Sequence, residues 1–470
     1  MTLYDYLSKL AESTPDMKLL GEKDCWLTVR QVRQRVNGIA ASLLAQGVHP
    51  GDLITVTTMQ DMRTALTLFA LNAIGAVAVL CDPRSDWHEQ TADMHAVGCI
   101  DNGILTTADG SHQRLLSFAQ QDTDFVSASC ADAPAFIIFT SGSTGRQKAV
   151  VLSANNLIQN MIEAYPLGGY RSGDIALGVL PMTHVFGLVL LAGALTVPYG
   201  LYLLADKHTD VMLNAIEQQG ITRMNAVPSI YLAMAAQCAG RDLHLLRYGF
   251  IGGGPCTPAQ FCHIEQALGM TLIPAYGMSE CIGISSAAWQ DAQEVRSQGV
   301  GRFYPNTNGR ILRTDDTPAT IGEIGEICVD SPTRMLGYWG EQEHTSLLHT
   351  GDLGYVDANG ILHLTGRIKD VIIRNGVNLS AVHIEETLLG IPGVESAAVI
   401  GLPDSACGEL PYAMVVGNVQ EADLLSALSH SLHKNELPVA IRVVPEIPMT
   451  ASGKPNKQII REVLSVWAHR

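Results

Sequence analysis

Between residues 30 and 80 a helical pattern, an apolar run and a second, wholly apolar helical pattern follow one another with no long loop between them. Residues 30–48 (RQVRQRVNGIAASLLAQGV) repeat apolar side chains at helical spacing and stop near Gly47. Residues 52–59 (DLITVTTM) are strand-like, and 62–80 (MRTALTLFALNAIGAVAVL) read as a buried helix running into a further strand. A strand that is apolar on both faces must be covered on both, and strand–helix–strand alternation does this through parallel crossovers. The pattern therefore predicts a parallel sheet covered by helices. It recurs as a strand at 135–140, a helix after Ser153 and a strand–helix pair around 221–236.

The texture changes after about Gly299, where short strands are separated by Gly, Pro, Asn and Asp, as in residues 308–329. That composition predicts a small, mostly antiparallel β region. From about Asp370 alternating elements return: strands at 372–380, 395–403, 412–418 and 441–447, with helices at 381–390 and 421–433. A chain of 470 residues exceeds one ordinary core. The expected fold is α/β: a large N-terminal domain (1–368) of helix-covered β-sheets plus a small β-barrel-like region, then a small α+β C-terminal lid (369–470). No long linker separates them, so the join is expected to be a short hinge.

The strongest local chemical signal is Phe139-Thr140-Ser141-Gly142-Ser143-Thr144-Gly145-Arg146-Gln147-Lys148, directly after an apolar run. Glycines let successive backbone N–H groups face a polyphosphate, the hydroxyls of Ser141, Ser143 and Thr144 add donors, and Lys148 adds a point charge. It is not a Walker A loop, because Gln147 stands where that pattern requires glycine. Taken alone, the stretch also fits a Ser/Gly-rich surface turn.

The order of motifs narrows the choice. Thr140 to Ala149 resembles the T-S-G-[ST]-T-G-x-P-K-G loop of the acyl-adenylate-forming (AMP-binding) superfamily, with Gln147 for Pro and Ala149 for Gly. That superfamily includes the acyl- and aryl-CoA ligases, the adenylation domains of peptide synthetases and the luciferases. Its other motifs follow in sequence: Leu180–Gly187, Gly252–Pro255, Tyr276–Glu280, Gly322–Glu326, Thr350–Asp352, Gly366–Asp370, Gly376–Asn378 and Pro448–Lys454. Nine matches in order, spanning about 136 to 457, make coincidence untenable; the N-terminal third fits more loosely.

The resemblance implies ATP-dependent activation of a carboxylic acid as acyl-AMP, with Mg²⁺, followed by transfer to a thiol. Attack of a carboxylate on the α-phosphorus brings anions together, so the site must neutralise charge. By resemblance, Ser141, Gly142, Ser143, Thr144, Gly145 and Lys148 hold the pyrophosphate end. Lys454 bridges the acyl carboxylate and the α-phosphate from the lid. Glu280 holds Mg²⁺, a hard cation suited to carboxylate oxygens; a helix-start carboxylate is its bland alternative. Ser279 reaches the α-phosphate. Gly252, Gly253 and Gly254 approach the base, Tyr276 stacks on adenine with Gly277 beside it, and Asp352 and Arg367 hold the ribose hydroxyls. Lys369 marks the hinge, and the turn at Gly376 lines a passage for the thiol. His184 borders the acyl pocket or is a structural histidine.

Composition limits the alternatives. A net charge of −16 disfavours general nucleic-acid binding. Ten scattered cysteines form no C-x-x-C pair and read as reduced thiols of a cytoplasmic protein. The opening MTLYDYLSKLAESTPD carries early acidic residues and no apolar h-region, so no secretory signal is expected. Residues 175–205 hold no Asp, Glu, Lys or Arg, a length that would permit a membrane span. Pro181, His184, Gly187, Pro198 and Gly200 divide it, so a buried core segment is expected. The absence of Asp from this stretch argues against an α-amino acid substrate, whose buried ammonium would need a partner. Phe186, Leu188, Met278, Cys281 and Ile282 suggest an apolar acyl tail. No carrier-type L-G-G-x-S segment follows Lys454, so the expected thiol is coenzyme A, with a separate acyl carrier protein as the alternative. The altered loop (Gln147, Ala149, and Ala154 where relatives often have His) leaves a nucleotide-binding pseudoenzyme as a rival, opposed by Lys454, Glu280, Asp352 and Arg367.

Overall fold

The strand–helix alternation folds as the periodicity requires. The computed structural model describes residues 1–85, 87–107, 110, 112–114, 125–140, 147–341, 347–449 and 455–468. The helix Val29–Ala45 starts at a capping box in which Thr28 accepts from Gln31 N–H and Gln31 answers to Thr28 N–H. The helix Met62–Ile74 starts on Asp61 and stops at Gly75, in the left-handed conformation. The strands Leu53–Thr57 and Val77–Cys81 on either side pair in parallel and are buried throughout.

Two large sheets carry the N-terminal part. One has eight strands, with Leu53–Thr57, Val77–Cys81 and Pro134–Thr140 at its centre and Lys148–Ser153 towards one edge. The other has nine, and its parallel centre runs through Ile175–Gly178, Arg223–Met224, Tyr248–Ile251 and Thr271–Met278. The apolar stretch 175–205 is a strand, a loop, the helix Val185–Thr196 and the strand Gly200–Leu203. Twelve residues span about 18 Å at ~1.5 Å per residue, short of a bilayer core. Leu188 to Leu195 are all buried in the main core. Among the described residues no helix is long and apolar enough to cross a membrane.

The β region expected after Gly299 is a four-stranded antiparallel sheet of Asn308–Leu312, Gly325–Asp330, Leu348–Val356 and Leu362–Arg367. A single 3₁₀ turn, Ile368–Asp370, then leads into a five-stranded sheet. Alternate residues of its strand Val394–Asp404 face opposite ways, as period two demands. Ala397 and Val399 pack with Ile384, Leu388, Leu424 and Leu428 of the helices Ala381–Leu389 and Glu421–Leu428. Ala398 and Ile400 pack with Ile460 and Leu464 of Lys457–Ala468. The sequence reading had not assigned that last helix, and it covers the sheet's second face.

Candidate active site

Ligand sites of open α/β sheets lie beyond the carboxyl ends of the strands, and Gly252 to Gly254 and Tyr276 to Glu280 stand there. Tyr248–Ile251 and Thr271–Met278 run parallel with Ile251 opposite Pro274. The chain leaves the first strand at Gly252, where an added Cβ would stand 2.6 Å from the carbonyl of Ala275, so only glycine lets the two strand ends close up. Gly253 has φ of +78°, and both Gly253 and Gly254 are exposed. The edge of the Phe186 ring lies 4.0 Å from the same Cβ position.

The Thr271–Met278 strand turns back through a two-residue hairpin, Ser279-Glu280, with Met278 paired to Cys281. Glu280 therefore sits on a hairpin tip, not at a helix start as its bland alternative had it. Gly277 makes the register shift before the turn possible: a Cβ there would meet the carbonyl of Ile282 at 2.1 Å. The segment 331–339 runs alongside, bonded at Ile282 N to Thr333 O (3.2 Å) and at Met335 N to Glu280 O (2.9 Å). It ends as the short strand Gly337–Tyr338 on the edge of Lys148–Ser153. The segment thus ties the two large sheets together beside the hairpin tip. Tyr338 Oη donates to Glu280 Oε1 at 2.9 Å, and Lys148 Nζ lies 4.3 Å from the centre of the Tyr338 ring. Burial and the neighbouring Glu280 carboxylate raise the Tyr338 phenol, which stays a donor. Tyr338 was not foreseen; its only trace in sequence is the aromatic pair Tyr338-Trp339 between Gly337 and Gly340.

Four residues before Glu280 on the same strand lies Tyr276. Its ring is buried in an apolar cluster with Cys281, Ile284, Ile327 and Leu362, and its Oη donates to Asp352 Oδ2 at 2.6 Å. Arg367, paired with Asp352 across the small sheet, places Nε 2.7 Å from Oδ1. The Asp352 side chain is 8 % exposed and that of Arg367 42 %. Gly351, with φ of +71°, forms the turn that delivers Asp352, and Thr350 Oγ1 accepts the Asp352 N–H at 3.0 Å. A buried carboxylate held by a phenol and a guanidinium on one side is built to accept further hydroxyl donors.

His184 is half-buried and precedes the helix Val185–Thr196, whose first turn packs so closely that a Cβ on Gly187 would stand 2.2 Å from the Pro181 carbonyl. Asp82, just past the strand Val77–Cys81, comes close enough to His184 to feel its charge. The hydrogen bond from Arg84 is the main cause of that carboxyl's lowered pKa, with His184 a smaller one. Lys207 is lowered mainly by burial, then by the Arg84 charge. An aspartate thus does stand near His184, supplied from outside residues 175–205, and Arg84 already holds it at 2.6 Å. Leu188 and Ile282 belong to the main core, Met278 and Cys281 to the apolar cluster around Tyr276, and Phe186 lies at Gly252.

On the C-terminal side, Lys369 sits in the 3₁₀ turn, and its pKa is lowered by burial and then by the charge of Arg367. Gly376 and Asn375 both have positive φ (75° and 52°) and join Val371–Arg374 to Val377–Ser380 as a two-residue Asn-Gly hairpin. Lys457 Nζ bridges Asp370 (3.2 Å) and Glu385 (3.4 Å), fastening the start of the last helix to the residue after Lys369 and to the helix Ala381–Leu389. Ser141, Gly142, Ser143, Thr144, Gly145 and Lys454 lie outside the described residues.

Three kinds of comparison agree. A family model described as AMP-binding enzyme matches residues 7–339, and one described as AMP-binding enzyme C-terminal domain matches 383–454. A feruloyl-CoA synthase of Amycolatopsis sp. is 31 % identical over 465 residues, covering 93 % of each chain. A 2-succinylbenzoate–CoA ligase of Bacillus cereus is 27 % identical, covering 98 % of this chain and 99 % of its own. Among solved structures, the o-succinylbenzoate coenzyme A synthetase of Bacillus subtilis, in complex with ATP and a magnesium ion, aligns with a TM-score of 0.85 at 25 % identity, over 98 % of this chain and 99 % of that one.

Proposed function

The chain belongs to the AMP-binding enzyme family, and from that premise we propose how its residues divide the work of an AMP-forming acid–thiol ligase. The enzyme joins a carboxylate to ATP, giving acyl-AMP and pyrophosphate, then exchanges AMP for coenzyme A, giving the acyl thioester. One observation carries the assignment of roles. A single strand and its hairpin hold Tyr276 against Asp352 and Glu280 against Tyr338, four residues apart, so one nucleotide spans both groups.

Asp352 and Arg367 take the ribose hydroxyls, while the Gly252–Gly254 backbone and the upper strand wall off the base. Lys148 stands at the pyrophosphate end, with the Ser141–Gly145 segment directly before it in the chain. Glu280 fits Mg²⁺: it is a hard carboxylate on a half-exposed hairpin tip, and among the described residues only Oε1 has a partner. When bound there, the ion neutralises phosphate charge. Lys454 meets the charge that develops between carboxylate and α-phosphate. The lid, taken as 369–470, turns about Lys369 between the two half-reactions.

The acid is apolar and without an α-amino group. Arg84 already neutralises the Asp82 carboxylate near His184, and aromatic acids head the screen because both named relatives act on them. Its use of ATP and coenzyme A supports a cytoplasmic location. The deciding experiment is a pyrophosphate-release screen over aromatic and aliphatic acids, with coenzyme A or acyl carrier protein as acceptor, repeated with Lys454→Ala. Release without thioester when coenzyme A is present would remove that acceptor. Undiminished release by Lys454→Ala would remove the role of the lysine.

A further inference from the structure

The small antiparallel sheet brings together three side chains that the nucleotide chemistry does not use for contact. Cys328 and His349 are directly opposite on Gly325–Asp330 and Leu348–Val356, and Glu326 lies two residues before Cys328, across a register shift. His349 Nδ1 is 2.9 Å from Glu326 Oε2 and 3.4 Å from Cys328 Sγ. The three ligand atoms all lie within 4.8 Å of one another. Tetrahedral zinc with bonds of about 2.3 Å to sulfur and about 2.0–2.1 Å to nitrogen and oxygen would set S···N near ~3.6 Å and N···O near ~3.3 Å. The two distances to His349 Nδ1 lie within a few tenths of an ångström of those values, and the exposed imidazole has room to adjust.

We propose that Glu326, Cys328 and His349 form a site for a borderline-soft divalent cation such as zinc, separate from the hard-cation position at Glu280. Thiolate, imidazole and carboxylate are the donors zinc favours and magnesium does not. Exposure is graded suitably. The Cys328 residue is buried, the Glu326 side chain is 19 % exposed and that of His349 47 %, which leaves the fourth position to water. Burial, then the Glu326 and Asp316 charges, raise the free thiol to about 12. A bound dication reverses the sign of that local field and stabilises the thiolate.

The site also touches the nucleotide cleft through one residue. Glu326 Oε2 faces His349, while Oε1 accepts the N–H of Gly351 at 2.9 Å, the turn residue before Asp352. A cation on Oε2 fixes the carboxylate that orients this turn, so its occupancy is coupled to AMP binding.

The test uses the full chain, stripped with a chelator and titrated with Co²⁺ and then Zn²⁺. One Co²⁺ per chain with a thiolate-to-cobalt charge-transfer band, displaced by Zn²⁺, is expected, and both Cys328→Ala and His349→Gln should lose it. His349 is exposed, so its variant reports even if the buried substitution harms folding. Cobalt bound without the thiolate band, or binding undiminished in His349→Gln, would overturn the site. Saturating zinc should tighten AMP binding by about fivefold in the parent chain and leave His349→Gln unmoved. An unmoved parent would overturn the coupling.

Discussion

The phenol of Tyr276 donates to Asp352 across 2.6 Å, linking the end of a central parallel strand to a turn of the small antiparallel sheet 76 residues later. The bond makes Asp352, the carboxylate we assign to the ribose, part of a rigid wall. Burial and the Asp352 carboxylate raise the Tyr276 phenol, so it remains a donor at any physiological pH. Tyr276→Phe keeps the ring and removes the donor, leaving a buried carboxylate short of one partner. A net loss of about 1–2 kcal/mol follows, or roughly a 5- to 30-fold rise in KM for ATP with a much smaller change in kcat. Unaltered ATP saturation in the variant would leave the hydroxyl with no part in nucleotide binding.

Tyr338 stands to Glu280 as Tyr276 stands to Asp352. Its hydroxyl fixes one carboxylate oxygen while its ring faces Lys148. Removing an outer partner of a metal ligand typically weakens metal affinity about 10-fold or more. Tyr338→Phe should raise the Mg²⁺ concentration for half-maximal pyrophosphate release by that factor, while the ring–lysine contact survives. A magnesium curve that overlays the parent's would detach Tyr338 from the metal position.

Lys457 neutralises Glu385, whose side chain is 10 % exposed and whose Oε1 also accepts the Val399 N–H at 2.7 Å. Burial raises the Glu385 carboxyl above its ordinary 4.5, and Lys457 only partly offsets that. The folded carboxyl therefore holds its proton more tightly than the unfolded one, and stability falls as pH rises from 4.5 through the folded value. Lys457→Met pushes that value higher and extends the fall. Denaturation midpoints should show a loss of about 3 kcal/mol at neutral pH that shrinks in acid. A loss independent of pH would mean that the Lys457–Glu385 charge pair is not its source.

What could be read from the chain alone were features carried by local spacing. The apolar runs around Leu53 and Val77, the Asn375-Gly376 turn and the alternating lid strands all announce themselves within a dozen residues. Family motifs placed Glu280, Asp352 and Arg367 in one cleft, and the described geometry brings the last two together. Contacts made across the fold were not legible. Tyr338 reaches Glu280 only because a two-residue strand adds to Lys148–Ser153, a pairing with no periodicity of its own. Asp82 comes to His184 from the end of a strand about 100 residues earlier, so nothing within 175–205 announces it. The last helix, by contrast, was legible: Ile460, Val463, Leu464 and Trp467 recur at helical spacing and all pack on the sheet's second face, in the shadow of the motif before it.

A substitution at the Asn375-Gly376 turn would test whether the two half-reactions can be separated. Among the described residues nothing lies within 4 Å of the position a Cβ would take at Gly376, so a side chain there meets no packed wall of theirs. The conformation itself resists: φ of +75° costs an L-residue roughly 1 kcal/mol, borne by a hairpin whose strands pair on both sides of it. Gly376→Ala should therefore fold, with a small drop in the midpoint of the lid. If this turn lines the route of the incoming thiol, larger side chains should obstruct it by size. Gly376→Leu should slow thioester formation by about 10-fold or more while pyrophosphate release in single-turnover adenylation stays within about twofold, because a 1.4 kcal/mol barrier is a factor of ten. Equal slowing of both steps would instead place the effect in lid stability, and thioester formation as fast as the parent's would put the thiol path elsewhere.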